Sequence, residues 1–471
     1  PCGGAALGGV INVITKGPFD KGIHGTASAS YGSNSTEDLR AEVSANTGYA
    51  GIYLTAGQLH SNGFIPGTDV INHNLYSKMA YNLANGTDIN LSLSYIGAKR
   101  GNGDFGELFN EKIRDRDELY FGTLTINSRL SSSLTLDVTG NVQRNRKVRI
   151  ANDLTDGAFV PGDSGVWDDR RYGGTAKLIW KPDNQIIVLG SDYDNGTEKS
   201  DNLLGGKQNL TRLAFFANDT ISIGDFAITP GLRYEDTNQN GDFISPSLGA
   251  TYILTKKTIL RATIARGFNV PALGDTFGTG GGFPNPALKV EKVMSYQAGA
   301  ECSELQYVWV KVSLFRHDVK DIIENDPTNT ISINAGRQRR QGFEVEMRTV
   351  PVYNTSLSGG TTYVYAKDRD TNQIIMQIPK YTYDVALNYD DKKSFRARLQ
   401  GRYVWWNDDS GLSKYSDLIV DLNMVKTIYK NSSQSLETFL TVHNLFDGSQ
   451  YLYSFYRNAG RWAEVGVRYK F

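Results

Sequence analysis

The chain has 471 residues, and its 50 Lys+Arg balance 50 Asp+Glu, so no basic excess points to nucleic acid and no polyacidic tail is present. Only 39% of residues are hydrophobic, and no apolar run approaches the roughly 20 residues that a membrane-spanning helix needs. Two cysteines, Cys2 and Cys302, make neither a metal knuckle nor a disulfide framework, whereas 26 Tyr and 49 Gly against 13 Pro suit pleated strands, interfacial girdles and tight turns.

The first element is a Gly-rich turn with a short, nearly all-apolar strand, Gly3-Gly4-Ala5-Ala6-Leu7-Gly8-Gly9-Val10-Ile11-Asn12-Val13-Ile14-Thr15-Lys16. That composition predicts a strand buried on both faces. From Gly22 onward the pattern becomes alternation of period two. Ile89, Leu91, Leu93 and Tyr95 share one face, with Asn90, Ser92 and Ser94 opposite. Leu134, Leu136, Val138 and Val142 oppose Thr135, Asp137, Thr139 and Asn141. Further on, Val308, Val310, Val312 and Leu314 oppose Trp309, Lys311 and Ser313. Between Asp318 and Arg348 the alternation weakens, and Ile322, Ile323, Ile331 and Ile333 predict strands that rise above the membrane and turn at Asp326-Pro327. Leu418, Val420, Leu422 and Met424 oppose Asp421 and Asn423. The last run sets Ala463, Val465, Val467, Tyr469 and Phe471 on one face and Trp462, Glu464, Gly466, Arg468 and Lys470 on the other. In each segment one face suits lipid, and the other is too polar for a dry core and suits water. A soluble β-sandwich shares the period but not that polarity.

About 22 such segments run from Gly22 to Phe471, within the range of outer-membrane barrels. Short polar turns, such as Asn85-Gly86, Gly224-Asp225, Lys256-Lys257 and Asp390-Asp391-Lys392-Lys393, alternate with long connections such as 99–116, 147–170, 269–290 and 447–460. The connections near Ser33 and Asn238 are short but fall on the long-loop rim. The fold class expected is therefore all-β: a transmembrane antiparallel β-barrel of about 22 strands.

The opening run resembles the end of the plug domain of TonB-dependent outer-membrane receptors, with Cys2 where that family usually has Tyr. Arg266-Gly267-Phe268-Asn269-Val270-Pro271, Asn285-Pro286-Ala287-Leu288-Lys289-Val290-Glu291, Asn334-Ala335-Gly336 through Gly342-Phe343-Glu344, and Asn444-Leu445-Phe446-Asp447 resemble family segments in order. The resemblance covers the whole chain. It implies residues 1–21 as the C-terminal end of a plug, with the rest of the plug and the TonB box absent, and 22–471 as the barrel. It further implies a bacterial outer-membrane receptor that captures a scarce, bulky nutrient, a ferric siderophore or cobalamin, and moves it inward when inner-membrane TonB pulls on the missing N-terminal region. Outer-membrane lipid and lipopolysaccharide are the other expected partners, and a monomer is expected. The barrel alone is not expected to perform energised uptake. A passive porin-like channel is the alternative reading, since a barrel this wide without a plug holds an open aqueous channel.

Catalysis is not expected: His24, His60, His73, His317 and His443 are scattered, and no Gly-x-Ser-x-Gly elbow or Walker loop appears. Ligand contacts are expected from aromatics of the long loops and from luminal polar groups. Phe105, Phe109, Trp167, Trp406, Tyr451, Tyr453 and Tyr456 are candidates, and an interfacial girdle is their bland alternative. Trp405 and Trp406, being adjacent, point to opposite faces, so at most one meets a ligand. Arg337, Arg339 and Arg340 form a basic cluster that suits an anionic siderophore, a solvated rim or the phosphates of lipopolysaccharide. Gly8, Gly9, Asn12 and Thr15 are expected to serve plug folding and plug–barrel contact rather than substrate. No cofactor is expected. Two acidic loops, around Asp104 to Asp117 and Asp153 to Asp169, resemble calcium-ordered loops of cobalamin receptors but lack Asp-x-Asp-x-Asp-Gly spacing, so the metal stays unknown.

Overall fold

The computed structural model describes residues 13–18, 20–104, 111–155, 158–161, 164–279, 283–326, 328, 330–407, 416–453 and 456–471. Alternation becomes architecture here. One sheet holds 23 strands; Ala158–Pro161 is a short flap on a single neighbour, which leaves 22 in the wall. In chain order these are β1 (Gly22–Gly32), β2 (Thr36–Asn46), β3 (Ala50–Ser61), β4 (Val70–Asn82), β5 (Thr87–Asp104), β6 (Glu111–Arg129), β7 (Leu134–Thr155), β8 (Gly165–Trp180), β9 (Gln185–Ser200), β10 (Lys207–Ile223) and β11 (Phe226–Thr237). The second half is β12 (Gly241–Thr255), β13 (Thr258–Asn269), β14 (Glu291–Cys302), β15 (Val308–Asn325), β16 (Ser332–Thr349), β17 (Thr355–Asp368), β18 (Ile378–Asp390), β19 (Phe395–Asn407), β20 (Ile419–Lys430), β21 (Ser435–His443) and β22 (Trp462–Lys470). Each pairs antiparallel with its sequence neighbours, and β1 pairs with β22 from Thr26↔Lys470 to Gly32↔Glu464, which closes the barrel. At that seam Phe471 exchanges backbone hydrogen bonds of 2.9 and 3.0 Å with Gly25, and its ring lies over the glycine, 2.3 Å from where a Cβ would stand.

The two rims differ as the connections predict. The start of β1, the end of β22 and the short turns share one rim, which in an outer-membrane barrel faces the periplasm. The opposite rim carries 62–69, 105–110, 201–206, 270–290, 369–377, 408–418 and 444–461, together with the short connections at 33–35 and 238–240. β15 and β16, 18 residues each, rise toward that rim and turn at 326–331, where Asp326 accepts the amides of Thr330 and Ile331 at 2.8 and 3.0 Å.

The outward face is apolar and exposed, as lipid requires: Leu124, Val142, Leu232, Leu314 and Val467 all lie open on it. An aromatic ladder crosses β16 to β19 on this face. Phe343, Tyr363, Tyr381 and Trp405 follow one another with ring centroids 5.5, 5.0 and 5.4 Å apart, an interfacial girdle in form. The lumen is instead laced with ion pairs. Arg261 meets Glu301 at 3.0 Å, Lys177 meets Asp137 at 3.2 Å, and Glu437 faces Arg396, Arg468 and Lys470 at 2.7, 3.4 and 3.2 Å.

One expectation needs correcting. The apolar opening strand, predicted as buried on both faces, is not a strand over residues 13–18, and Val13 and Ile14 are 78% and 82% exposed. Every wall strand is already paired on both sides, so the closed sheet offers this segment no ladder to join. Side chains hold it instead. Thr15 bonds Tyr76 at 2.7 Å, Lys16 meets Glu42 at 2.8 Å, and Asn46 donates to the Pro18 carbonyl at 2.6 Å. Gly8, Gly9 and Asn12 lie outside the described residues.

The turn between β18 and β19 supplies a pH test. Asp391 accepts the amides of Phe395, Lys393 and Ser394 at 2.8–2.9 Å, and those bonds hold its carboxyl well below the usual range, at about 2. The ionised form is the acceptor, so its stabilisation is complete above about pH 4 and fades as pH falls toward 2. Hydrogen exchange of the 393–395 amides, corrected for intrinsic rates, is expected to be protected at pH 5 and to lose protection by pH 2. Asp391→Asn is expected to weaken that protection already at pH 5.

Candidate functional site

Register decides which side chains meet at the long-loop mouth. Asp115 of β6 pairs across to Arg149 of β7, both on the luminal face. Arg149 forms a bidentate pair with Asp115 at 2.9 and 3.0 Å, Lys147 approaches at 3.1 Å, and Asn102 donates at 2.7 Å. The Asp115 side chain is fully covered, whereas Lys147 and Arg149 each stay 27% exposed. Lys147 and Arg149 thus share one buried carboxylate on the luminal face. Trp167, opposite Lys147 in register, sets its ring 6.0 Å from that ammonium. Aromatic surface beside partly exposed cations suits a flat, anionic ligand.

The remaining candidates do not join this group. Arg340 lies opposite His317 in register and faces the lumen, donating to Gln338 at 3.1 Å, with no ion pair among the described residues. Arg337 and Arg339 point the other way: Arg339 is opposite Asp318, on the face of exposed Leu314, and Arg337 pairs with Asp370 at 2.8 Å. The three arginines therefore do not form one luminal cluster, because residues of odd and even number in a strand face opposite ways. Trp406 points inward and is 6% exposed, and two residues before it the Val404 carbonyl accepts from the Gln450 amide at 3.5 Å. Trp405 stands in the outward ladder. Phe105 and Phe109 lie outside the described residues, as do the side chains of Tyr451, Tyr453 and Tyr456. Twenty-two strands spaced about 4.8 Å and tilted about 45° enclose a cylinder on the order of 45 Å across. Trp167 on β8 and Arg340 on β16 are thus separated by most of the lumen.

The sequence reading missed Lys147 and Arg149, although alternation from Asn141 and Gln143 already places both in the lumen. It weighed Asp115 only as part of an acidic loop considered for calcium, whereas Asp115 is paired with these cations. It also missed a second aromatic group, in which Trp462 stacks on His443 at 3.9 Å and on Phe64 at 4.4 Å. Below it, beside Lys16, a cavity of about 860 Å³ is lined by charged and polar groups including Arg40, Glu42, Asn74 and Arg468.

The segments resembling family motifs prove to be stitches that pin long connections. Asn285 donates to the Ser332 carbonyl at 2.8 Å, and Asn334 bonds both the amide and the carbonyl of Lys289 at 2.8 and 2.9 Å. Glu291 receives Asn269 and the amide of Ile323 at 2.8 and 2.9 Å. Asn444 ties Gly448 at 2.8 Å and Ala459 at 3.0 Å, gathering both ends of the 444–461 connection.

Residues 20–445 match the family described as TonB dependent receptor-like, beta-barrel. The chain belongs to the TonB-dependent receptor β-barrel family. It is a protein of the bacterial outer membrane. The ferric enterobactin receptor of Pseudomonas aeruginosa is 24% identical over 324 residues, which is 56% of this chain and 43% of that relative. The chain thus spans less than half of the curated relatives it matches. Among solved structures, the siderophore receptor PirA from Acinetobacter baumannii superposes with a TM-score of 0.80 at 16% identity, covering 100% of this chain and 83% of the other. The copper transporter OprC follows at 0.79 and 16% identity, covering 96% and 82%. These relatives are receptors or a transporter by name. A TonB-dependent receptor barrel therefore fits the wall, the rims and the stitched motifs, and the fold alone does not choose a cargo.

Proposed function

We propose that this chain forms the barrel of a receptor that takes up an iron–siderophore chelate, with residues 1–21 as the end of its plug and inner-membrane TonB as its source of energy. The observation that carries the reading is the luminal group at Lys147, Arg149 and Trp167, in which two partly exposed cations stand beside an indole face. Ferric catecholates are anionic and present planar aromatic rings at their surface, and an indole face beside cations suits both properties. The names of the relatives support iron chelates over cobalamin, which is large but carries no comparable negative charge. A passive porin is the poorer reading, because residues 20–445 match the TonB-dependent receptor barrel.

The test is a titration of the full-length protein carrying this chain with ferric enterobactin, a ferric hydroxamate and cyanocobalamin, followed by intrinsic tryptophan quenching. The catecholate is expected to bind tightest. Substituting Lys147→Gln with Arg149→Gln is expected to weaken it about 10- to 100-fold, or about 1.4–2.7 kcal/mol. Preferential binding of cyanocobalamin, or an affinity that the double substitution leaves unchanged, would overturn the proposal.

A further inference from the structure

The connection after β13 leans back over the mouth. It opens with one helical turn, α1 (Leu273–Phe277), whose Leu273 packs on the apolar group of Leu210, Phe268, Val270 and Val290. Two backbone hydrogen bonds tie it to the 201–206 connection. The Leu204 amide donates to the Phe277 carbonyl at 2.8 Å, and the Thr279 amide to the Asn202 carbonyl at 2.9 Å. Asn202 borders the ligand group: its side chain and the Trp167 ring lie 3.0 and 2.8 Å from where a Cβ on Gly165 would stand. Farther along, Asn285 and Asn334 fix residues 285–289 to β16, so residues 272–279 form a strap that depends on its own contacts.

Three carboxylates stand beside this strap without a cation. Glu198 of β9 lies directly opposite Asp169 of β8, and Asp275 of α1 is close enough to act on Glu198 electrostatically. Like charges facing each other across an antiparallel pair repel. The surrounding groups do not offset them. From β7, Asn145 donates to Asp169, and β10 sets Gln208 opposite Glu198. Arg171 is taken by Asp194 at 2.6 Å and Lys147 by Asp115 at 3.1 Å, while Arg212 faces Asp194 in register. Asp168 and Glu291 add negative charge near Asp169 and Asp275, and Lys199, Asp201 and Lys207 are exposed. Among the described residues none of the three carboxylates has an ion-pair partner, and Oδ1 of Asp169 is buried with no hydrogen-bond partner. All three stand above the outward girdle rings Tyr172 and Tyr193, outside the spanning part of the wall.

We propose that residues 272–279 are a pH-dependent strap: ionisation of the Asp169–Glu198–Asp275 group loosens its hold on the 201–206 connection, and protonation tightens it. Burial holds the carboxyls of Asp169 and Glu198 above their ordinary range, and the charges of Asp169 and Asp275 raise Glu198 further. Asp275 is raised too, although part of it stays open to water. Release of the strap carries Asp275 away and admits water to Glu198. The docked state therefore favours the protonated acids: its stability is complete below about pH 4 and is lost as pH rises through the raised values. Neutral medium widens the mouth beside Trp167, and acid medium narrows it. That consequence for cargo rests on the ligand site proposed above; the docking of the strap does not.

The test is hydrogen exchange of segments 201–206 and 272–279, read by mass spectrometry on the full-length protein in detergent, without cargo and corrected for intrinsic rates. Protection of the Leu204 and Thr279 amides is expected to fall at least about tenfold between pH 5 and pH 8. The 393–395 amides, whose acceptor stays ionised over that range, are the reference. Asp169→Asn with Glu198→Gln is expected to keep protection at pH 8 within about twofold of its pH 5 value. Asp275→Asn, on the strap and outside the wall, is expected to shrink the fall. Equal protection at the two pH values in the unsubstituted protein, relative to the reference, would overturn the proposal. So would an undiminished fall in Asp275→Asn, or in the double substitution in protein that still migrates as a folded barrel.

Discussion

Gly342→Val is expected to prevent the wall from closing between β16 and β17. A Cβ at Gly342 would stand 1.8 Å from the Tyr363 carbonyl oxygen and 2.9 Å from the Phe315 ring. Phe315 can turn aside, but Tyr363 contributes backbone, and it moves only if the β16–β17 ladder opens. Overpacking together with lost ladder bonds amounts to about 3–5 kcal/mol. Gly140→Ala is the control, since a Cβ there meets nothing within 4 Å. The measurement is the urea midpoint of the reconstituted protein, with the folded fraction read as unheated mobility on a gel. A Gly342→Val midpoint within the scatter of Gly140→Ala would sink the argument. The Gly-x-Glu pattern that ties this segment to its family thereby acquires a physical reason: a strand passing this close to its neighbour has no room for a side chain.

Arg233→Leu is the second large effect. Arg233 bridges Asp192 at 2.5 Å and Glu235 at 2.7 Å on the luminal face, and Glu235 is 1% exposed. One oxygen of Glu235, Oε1, already lacks a partner. Removing the guanidinium strands a buried carboxylate, at an expected cost of about 3–5 kcal/mol. Removing both partners is expected to cost less than removing Arg233 alone, because Arg233→Leu with Glu235→Leu leaves only Asp192, which water reaches. The double-mutant cycle thus predicts strong positive coupling in the unfolding free energy. Simple additivity of the two substitutions would show that water or Arg212 compensates Glu235 without Arg233.

Much of the barrel was legible in the sequence because a wall with lipid outside and water inside writes its period into every strand. The apolar faces of 89–95, 134–142 and 308–314 emerged on the lipid side, and the Trp405–Trp406 split followed from parity alone. The same parity separates Arg337 and Arg339 from Arg340, and grouping them by nearness in sequence overlooked it. The pairing of Asp115 with Arg149 was not legible, since it depends on the register that β6 and β7 keep far from the short turn at 130–133 that joins them. Nor was the loose course of residues 13–18, which follows from the closure of a sheet whose last strand is more than four hundred residues away.

The strands also differ in length, and that shapes the way in. β7 has 22 residues, whereas β21 and β22 have nine each. At about 3.3 Å per residue and a tilt of about 45°, these correspond to heights of roughly 50 and 21 Å, against an apolar band about 25 Å tall. The wall is therefore uneven in kind as well as height: around β5 to β10 the ladder itself reaches past the apolar band, whereas at the short strands β21 and β22 the rim is made by the 444–461 connection, gathered by Asn444. A solute arriving at the first bearing meets rigid hydrogen-bonded sheet, and one arriving at the second meets a connection held by a few side-chain bonds.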